Sequence, residues 1–101
     1  MLRFEWDPAK ARGNRAKHHV SFEDAMLVFE DPCALFEQDR ASRAGELRWQ
    51  AIGLAGGVIL LIVVHTAREE GRDEVIRLIS ALRATRKERR RYEQTRIQDA
   101  D

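Results

Sequence analysis

The feature that most constrains the fold is an unbroken apolar run, VILLIVV, at residues 58–64. The run is far shorter than the roughly 20 residues that a membrane-spanning helix needs. A short continuous apolar run rich in β-branched residues is typical of a strand buried on both faces. Gly56 and Gly57, directly before it, predict a tight turn. The sequence therefore predicts a sheet in which this segment is a central strand.

Other segments carry weaker strand signals, either period-two alternation or a short apolar run. These segments are residues 2–6, 34–37, 46–53 and 75–80. Residues 38–45 are polar and predict a loop, and residues 69–72 predict a turn.

Helix-start signals occur three times in the chain. The pairs that form them are Asp7 with Pro8, Ser21 with Asp24, and Thr85 with Glu88. The first places an N-cap before proline, and the other two resemble capping boxes. The predicted helices run to about His18, to Asp31 and to about Arg96.

The elements follow in the order β-α-α-β-β-β-β-α, which predicts one α+β domain over residues 1–101. We expect a small antiparallel sheet with the two N-terminal helices on one face, followed by a C-terminal helix. The other face of such a sheet can stay in contact with solvent. It would carry Arg48, Gln50 and Arg77, and would make a suitable floor for a nucleic-acid strand.

Cysteine and histidine content limits the chemistry of the chain. Cys33 is the single cysteine, which excludes an internal disulfide and a zinc site built from several cysteines. The N-terminal residues lack the apolar core of a secretory signal. We therefore expect a cytoplasmic protein without membrane association. His18 and His19 have no third ligand at a recognisable spacing, so we expect no metal and no other cofactor.

Basic residues are concentrated near the C-terminus, although the net charge is only +1. Between Arg83 and Arg96 there are seven basic residues against two acidic ones. Arginine suits phosphate recognition, although a GC-rich genome produces the same preference for arginine. The run at residues 89–91 is either a solvated face, a surface that steers RNA, or a contact for an acidic segment of a partner.

A set of residues spread over about residues 4–93 resembles the BrnT family, whose members are toxins of type II toxin–antitoxin systems. The residues that carry the resemblance are Phe4, Trp6, Asp7, Lys10, Asn14, residues 17–22 (KHHVSF), Ala25, Val28, Phe29, Asp31, residues 48–53 (RWxAIG), residues 64–68 (VHTxR), residues 76–81 (IRLISA), Ala84, Thr85, Glu88, Arg89 and Tyr92.

The resemblance implies a RelE-like fold and a metal-independent ribonuclease that blocks translation. It also implies a cognate antitoxin with a ribbon-helix-helix DNA-binding domain, which neutralises the toxin and represses the operon together with it. Two toxins would surround an antitoxin dimer. Operator DNA would be contacted only through the antitoxin.

The chain departs from the family pattern at two positions. His19 replaces a glycine, and we expect it to end the first helix in a left-handed conformation. Leu82 stands where the family usually has arginine, and Arg83 follows one place later. One place along a strand means the opposite face. If the family's arginine contacts the scissile phosphate, this chain is weakened or inactive.

RNA can be cleaved without metal because its 2′-hydroxyl can attack the neighbouring phosphorus. The enzyme must stabilise the charge of the transition state and move protons. We expect Arg68, just past the central strand, and Arg77, inside the last strand, to bind the phosphate. We expect His65 and Glu74 to supply acid and base catalysis. Each of the four has a structural alternative. Arg68 would be a solvated turn residue, and Arg77 a charge that prevents aggregation. His65 would be a hydrogen-bonded core residue, and Glu74 a solvated carboxylate.

Three further arginines are candidates for contacting the RNA backbone: Arg48 on the open sheet face, and Arg83 and Arg86 near the start of the last helix. The alternative is a solvated basic surface. The leading hypothesis is an endoribonuclease toxin. The others are a catalytically degenerate toxin homologue that acts as an antitoxin-binding co-repressor, and a free-standing RNA-binding domain. Cleavage in EDTA separates the first hypothesis from the other two.

Overall fold

A computed structural model describes residues 1–40, 42 and 45–99 of the chain. Its elements are β1 (Leu2–Glu5), α1 (Pro8–His18), α2 (Phe22–Leu27), a 3-10 turn (Val28–Glu30), β2 (Leu35–Gln38), β3 (Trp49–Ala55), β4 (Ile59–Glu70), β5 (Asp73–Arg83) and α3 (Arg86–Asp99). Residues 41, 43 and 44 of the predicted loop, and residues 100 and 101 of the expected domain, lie outside the described residues. No described helix combines the length and apolar character needed to cross a membrane.

The five strands form one sheet in the order β1-β5-β4-β3-β2. Strands β2 to β5 pair antiparallel, as predicted, but β1 pairs parallel to β5. The prediction of an antiparallel sheet is therefore wrong for its β1 edge, and the sheet is mixed. Parallel neighbours need a long connection, and here everything from α1 to β4 lies between the two strands.

Strands β4 and β5 are longer than their apolar runs predict. They continue through charged residues to a turn at Gly71, whose φ is 63°. A β-bulge lies between Val64 and His65, which pair with Ser80 and Leu78. The prediction that Arg68 lies just past the strand is wrong: it is paired with Val75 inside the ladder. Cross-strand hydrogen bonds keep these polar residues extended where the sequence indicates a turn.

The core occupies both faces of the sheet. On one face, α1 and α2 cover the larger cluster, which includes Phe22, Val28 and Leu78. On the other face, Tyr92 from α3 packs with Ile52 and Leu60. The second face is therefore covered at one end by α3, rather than open along its whole length as predicted.

Asp31 joins both layers of the fold. Its Oδ2 accepts hydrogen bonds from Tyr92 Oη at 2.6 Å and from the Leu54 amide at 2.8 Å, and its Oδ1 accepts one from the Cys33 amide at 2.9 Å. Burial alone would raise the pKa of this carboxyl, but the three hydrogen bonds outweigh it and lower the pKa. Gly53 lets the 3-10 turn approach β3 closely, because a Cβ at position 53 would lie 3.0 Å from Val28 Cγ1.

The predicted N-caps at Asp7 and Ser21 are confirmed, and Glu88 forms one half of the predicted capping box at Thr85. The Asp7 side chain accepts from the Ala9 amide, and the Ser21 side chain accepts from the Asp24 amide. Glu88 accepts from the Thr85 amide at 3.1 Å, and also from its hydroxyl group. His19 ends α1 with a φ of 60°, the left-handed conformation that the sequence predicts.

Helix α1 is anchored by a polar residue instead of an apolar stripe. Asn14 is its buried residue, with a relative exposure of 7%. Its Nδ2 donates to the carbonyls of Val20 and Ala81, both at 2.9 Å, and its Oδ1 accepts from the Ala81 amide at 3.0 Å. The side chain thus bridges α1, the loop that follows it and β5.

Asn14→Ala should therefore destabilise the fold by about 3 kcal/mol, because it leaves several buried backbone groups without partners. Urea unfolding followed by circular dichroism measures the loss. The control is Arg12→Ala, an exposed position on the same helix, which should change the free energy of unfolding by less than about 0.5 kcal/mol. Equal stability of the two variants would contradict the anchoring role of Asn14.

Candidate functional site

A group of charged side chains lies on β1, β4 and β5, beyond the part of the sheet that α3 covers. Glu5 lies opposite Arg77 in the β1–β5 ladder, and Thr66 lies opposite Arg77 in the β4–β5 ladder. Because side chains alternate along a strand, Glu5, Arg68 and Arg77 point to the face away from α1 and α2. The three form what we call the Arg68–Arg77–Glu5 cluster.

One carboxylate holds both guanidinium groups of this cluster. Arg68 binds Glu5 in a bidentate manner, with Nη2 2.9 Å from Oε1 and Nη1 3.1 Å from Oε2. Arg77 Nη1 donates to Glu5 Oε2 at 2.8 Å. Arg68 also donates to Glu70 Oε2, from Nη2 at 2.9 Å and from Nε at 3.2 Å. Two planar donor groups are thereby oriented around a single anion.

The hydrogen bonds of the cluster favour the charged forms of Glu5 and Arg68. Hydrogen bonds from Arg68 and then from Arg77 lower the pKa of Glu5 to about 2, and the bonds to Glu5 and Glu70 raise the pKa of Arg68. Both arginine side chains are 46% exposed. The guanidinium groups are therefore accessible to an anion that arrives from solvent.

A polar cavity of about 330 Å³ lies over the cluster and is lined by Lys10, Arg48, Arg68 and Arg77, among others. Arg48 thus shares this face with Arg77, as the sequence predicts. Its Nε donates to Glu46 Oε1 at 2.7 Å. Gln50 lies on the same face, as predicted, since it pairs with Val64, two positions from Thr66. Its Nε2 donates to Asp39 Oδ1 at 3.1 Å.

His65 and Glu74 lie on the opposite face of the sheet. They line a second cavity, of about 390 Å³, together with Phe29, Phe36 and Trp49. We call it the aromatic cavity. The structure therefore does not bring the two predicted acid–base residues together with Arg68 and Arg77.

The His65 ring is buried and neutral. Its relative exposure is 3%, and its Nδ1 lies 3.1 Å from the Val63 carbonyl oxygen. Burial lowers the pKa of His65, and the Val63 carbonyl and the charge of Glu74 only partly offset this effect. The ring packs edge-on against Phe29, with centroids 4.9 Å apart.

Arg83 and Arg86 lie far from the cluster. Arg83 lines a third cavity beside His19 and Asp24, on the face that α1 and α2 cover. It lies six positions along the strand from Arg77, which is about 20 Å at the usual rise per residue. Arg86 is exposed in the first turn of α3. Leu82 pairs with Ile62 and points to the opposite face from Arg83.

Glu5 is the residue of the cluster that the sequence did not single out. The alternation of β1 does place it on the side opposite Phe4 and Trp6. No local signal showed that this side would lie next to Arg77, which is 72 positions away.

The adjacent histidines His18 and His19 do not build a metal site with described residues. His18 is the last residue of α1, and His19 is its left-handed cap. Across residues 1–40, 42 and 45–99, no three His, Cys, Asp or Glu side chains are grouped so that they could hold a metal ion.

Comparison with known proteins identifies relatives of this chain. The family described as "Ribonuclease toxin, BrnT, of type II toxin-antitoxin system" matches residues 6–88. The crystal structure of the Brucella abortus ribonuclease toxin BrnT superposes with a TM-score of 0.62 and 25% sequence identity, covering 85% of this chain and 100% of that one. No curated protein sequence matches the chain. The chain therefore belongs to the BrnT family of ribonuclease toxins of type II toxin–antitoxin systems.

Proposed function

We propose that this chain is a metal-independent endoribonuclease that cuts RNA through the RNA's own 2′-hydroxyl and thereby inhibits translation. The observation that carries the proposal is the pair of exposed guanidinium groups, of Arg68 and Arg77, held around one carboxylate. Membership of a ribonuclease toxin family supports the same conclusion.

The Glu5 carboxylate occupies the place that a phosphate would take. Its two oxygens accept hydrogen bonds from the guanidinium N–H groups of the arginines. An arginine side chain donates equally well to the oxygens of a phosphate. When a scissile phosphate enters, the donors of Arg68 and Arg77 transfer to its oxygens. They then stabilise the negative charge that grows on the phosphorane, which is usually the largest contribution to such catalysis.

The same exchange activates Glu5 as the general base. Its pKa of about 2 in the free protein depends on hydrogen bonds from the two arginines. Losing those bonds raises the pKa toward that of an ordinary carboxyl group. Glu5 then takes the proton of the 2′-hydroxyl as the O2′–P bond forms. The P–O5′ bond breaks, the 5′-oxygen takes a proton from solvent, and a 2′,3′-cyclic phosphate remains.

Other basic residues bind RNA beyond the scissile phosphate. Lys10 and Arg48 line the same cavity and contact flanking phosphates. Arg83 and Arg86 lie too far away to touch that phosphate, and contact RNA only further along the strand. His65 and Glu74, on the opposite face, take no part in this chemical step.

The proposal extends to partners and location. Type II systems pair each toxin with an antitoxin, and family membership supports such a partner for this chain. We propose a ribbon-helix-helix antitoxin dimer flanked by two toxins, with operator DNA contacted only through the antitoxin. The toxin would act in the cytoplasm, where its RNA substrate is, through a single RelE-like domain.

Leu82 does not favour the alternative of a degenerate co-repressor. It lies near the end of β5 that is remote from Arg77, and its pairing partner is Ile62. An arginine at this position would point to the same face as Arg77, but five positions further along β5, about 17 Å away at the usual rise per residue. The Arg68–Arg77–Glu5 cluster is complete without it.

Arg68→Ala and Arg77→Ala should each reduce RNA cleavage in excess EDTA by about 10²- to 10³-fold, because each removes donors to the phosphorane. The measurement is single-turnover cleavage of an end-labelled RNA by the purified chain. Arg12→Ala, exposed on α1, is the matched control and should keep wild-type activity. Full activity in both cluster variants, or no cleavage by the folded wild type, would contradict the proposal.

Glu5→Gln should lower kcat by about 10²- to 10⁴-fold, the usual contribution of a general base. RNA binding should be unchanged or tighter, since the variant removes the carboxylate that competes with phosphate. A structural role alone would instead weaken binding and activity together. Gel-shift titration and single-turnover kinetics separate the two effects.

The pH profile provides an independent test of Glu5. The pKa of Glu5 is about 2 in the free protein, so kcat/KM should show no acid limb from this group above about pH 3. The profile of kcat, which reports the RNA-bound state, should show an acid limb at higher pH because the arginines have turned to the phosphate. Identical acid limbs in both profiles would exclude the exchange.

A further inference from the structure

We propose that the aromatic cavity binds a guanine base of the RNA strand whose phosphate lies at the Arg68–Arg77–Glu5 cluster. The inference rests on the proposed ribonuclease function and adds a base-recognition site to it. The cavity lies on the other face of the sheet, and none of its residues is needed for the chemical step proposed above.

The walls of the cavity suit a flat aromatic ligand. Phe36 is 53% exposed although it lies on a strand, and rings hold it on two sides. Its centroid is 5.9 Å from that of Phe29 and 6.3 Å from that of His65. Unpaired bases of RNA are commonly recognised by stacking on such aromatic side chains. The cavity volume of about 390 Å³ leaves room for a purine.

His65 and Glu74 present hydrogen-bond acceptors at the cavity, which Trp49, with its donating indole N–H, also lines. His65 Nδ1 faces the Val63 carbonyl, which only accepts, so Nδ1 carries the proton of the neutral ring. Nε2 is then an acceptor. Every buried side-chain nitrogen or oxygen of the described residues has a hydrogen-bond partner, and no described residue bonds His65 Nε2. Nε2 is therefore accessible, on a ring that lines the cavity. The Glu74 carboxylate also only accepts.

Guanine is the base that matches a carboxylate of this kind. Its Watson–Crick edge presents two adjacent donors, N1–H and N2–H, which pair with both oxygens of one carboxylate. Adenine and cytosine offer a single exocyclic amine, and uracil offers a single ring N–H. Glu74 therefore selects guanine, and the aromatic walls hold its ring.

One strand of RNA can reach both sites around the edge of β4. The last residue of the β3–β4 ladder at this end is Trp49, opposite His65. From Thr66 onward, no described strand pairs with this edge of β4, although residues 45–48 lie beside residues 66–68 in the cavity over the cluster. Ala67 lines both the aromatic cavity and the cavity over the cluster. A nucleotide at this edge can place its base on one face and its phosphate on the other.

The test measures binding without cleavage. The probes are four 2′-O-methyl trinucleotides that differ only in the central base, and they cannot be cut because the attacking hydroxyl is blocked. Trp49 lines the cavity, and a Trp6→Phe background leaves it as the single tryptophan reporter. The guanine trinucleotide should change Trp49 emission at concentrations at least about tenfold lower than the other three.

Three variants locate the effect. Glu74→Gln should reduce the preference for guanine to less than about twofold, since an amide cannot accept both base donors. Phe36→Leu should weaken binding of all four probes by about tenfold, since it removes a stacking surface. Glu69→Gln is the matched control: Glu69 pairs with Glu74 across the ladder and should leave binding unchanged.

The outcomes separate this inference from the ribonuclease proposal. Guanine-selective binding by a chain that does not cut RNA supports the base site and refutes the ribonuclease. Cleavage by a chain that binds all four probes equally, or unchanged selectivity in Glu74→Gln, overturns the base site alone. If none of the four probes changes Trp49 emission but the antitoxin does, the base site is overturned and the cavity is instead a groove that docks a protein.

Discussion

The parallel pairing of β1 with β5 is the constraint on which both the fold and the candidate site depend. One side of β1 supplies Phe4, which packs edge-on against Phe29 with centroids 5.2 Å apart. The other side supplies Glu5, which lies between Arg68 and Arg77. Without Glu5, two like charges would face each other on neighbouring strands, which is destabilising. A single edge strand therefore completes the core on one face and balances the charges on the other.

Charge balance also explains how a surface rich in arginine stays folded in the absence of RNA. Three arginines of this face are paired with three carboxylates; they are Arg3, Arg68 and Arg77 with Glu5, Glu70 and Asp73. Exposed pairs of this kind contribute little to stability. They do hold the guanidinium groups in defined positions. In the function proposed above, binding a phosphate would therefore exchange one anion for another instead of ordering free side chains. The basic helix α3 is similarly tied to the sheet, through Arg91 and Glu37.

The misplaced residues of the site have a common physical origin. The sequence predicts that the central strand ends at Val64, with His65 and Arg68 following at its end and a turn at residues 69–72. Outside a strand, Arg68 and His65 can come together. In the structure both lie on β4, three positions apart and therefore on opposite faces, and Glu74 and Arg77 on β5 are separated in the same way. Polar composition indicates exposure, but it does not end a strand whose backbone stays paired with a neighbouring strand, as β4 does with β5.

The sequence by itself determined the elements, their order along the chain and the features encoded by a few adjacent residues. The caps at Asp7 and Ser21 and the left-handed His19 are of this kind. Only the tertiary structure decided the parallel direction of β1 and the position of Glu5 between two arginines. It also decided that α3 packs on the sheet, where Tyr92 donates to Asp31. Periodicity and capping report the preferences of neighbouring residues. The choice of a strand's partner dozens of residues away depends instead on how the whole core packs, and no local pattern records it.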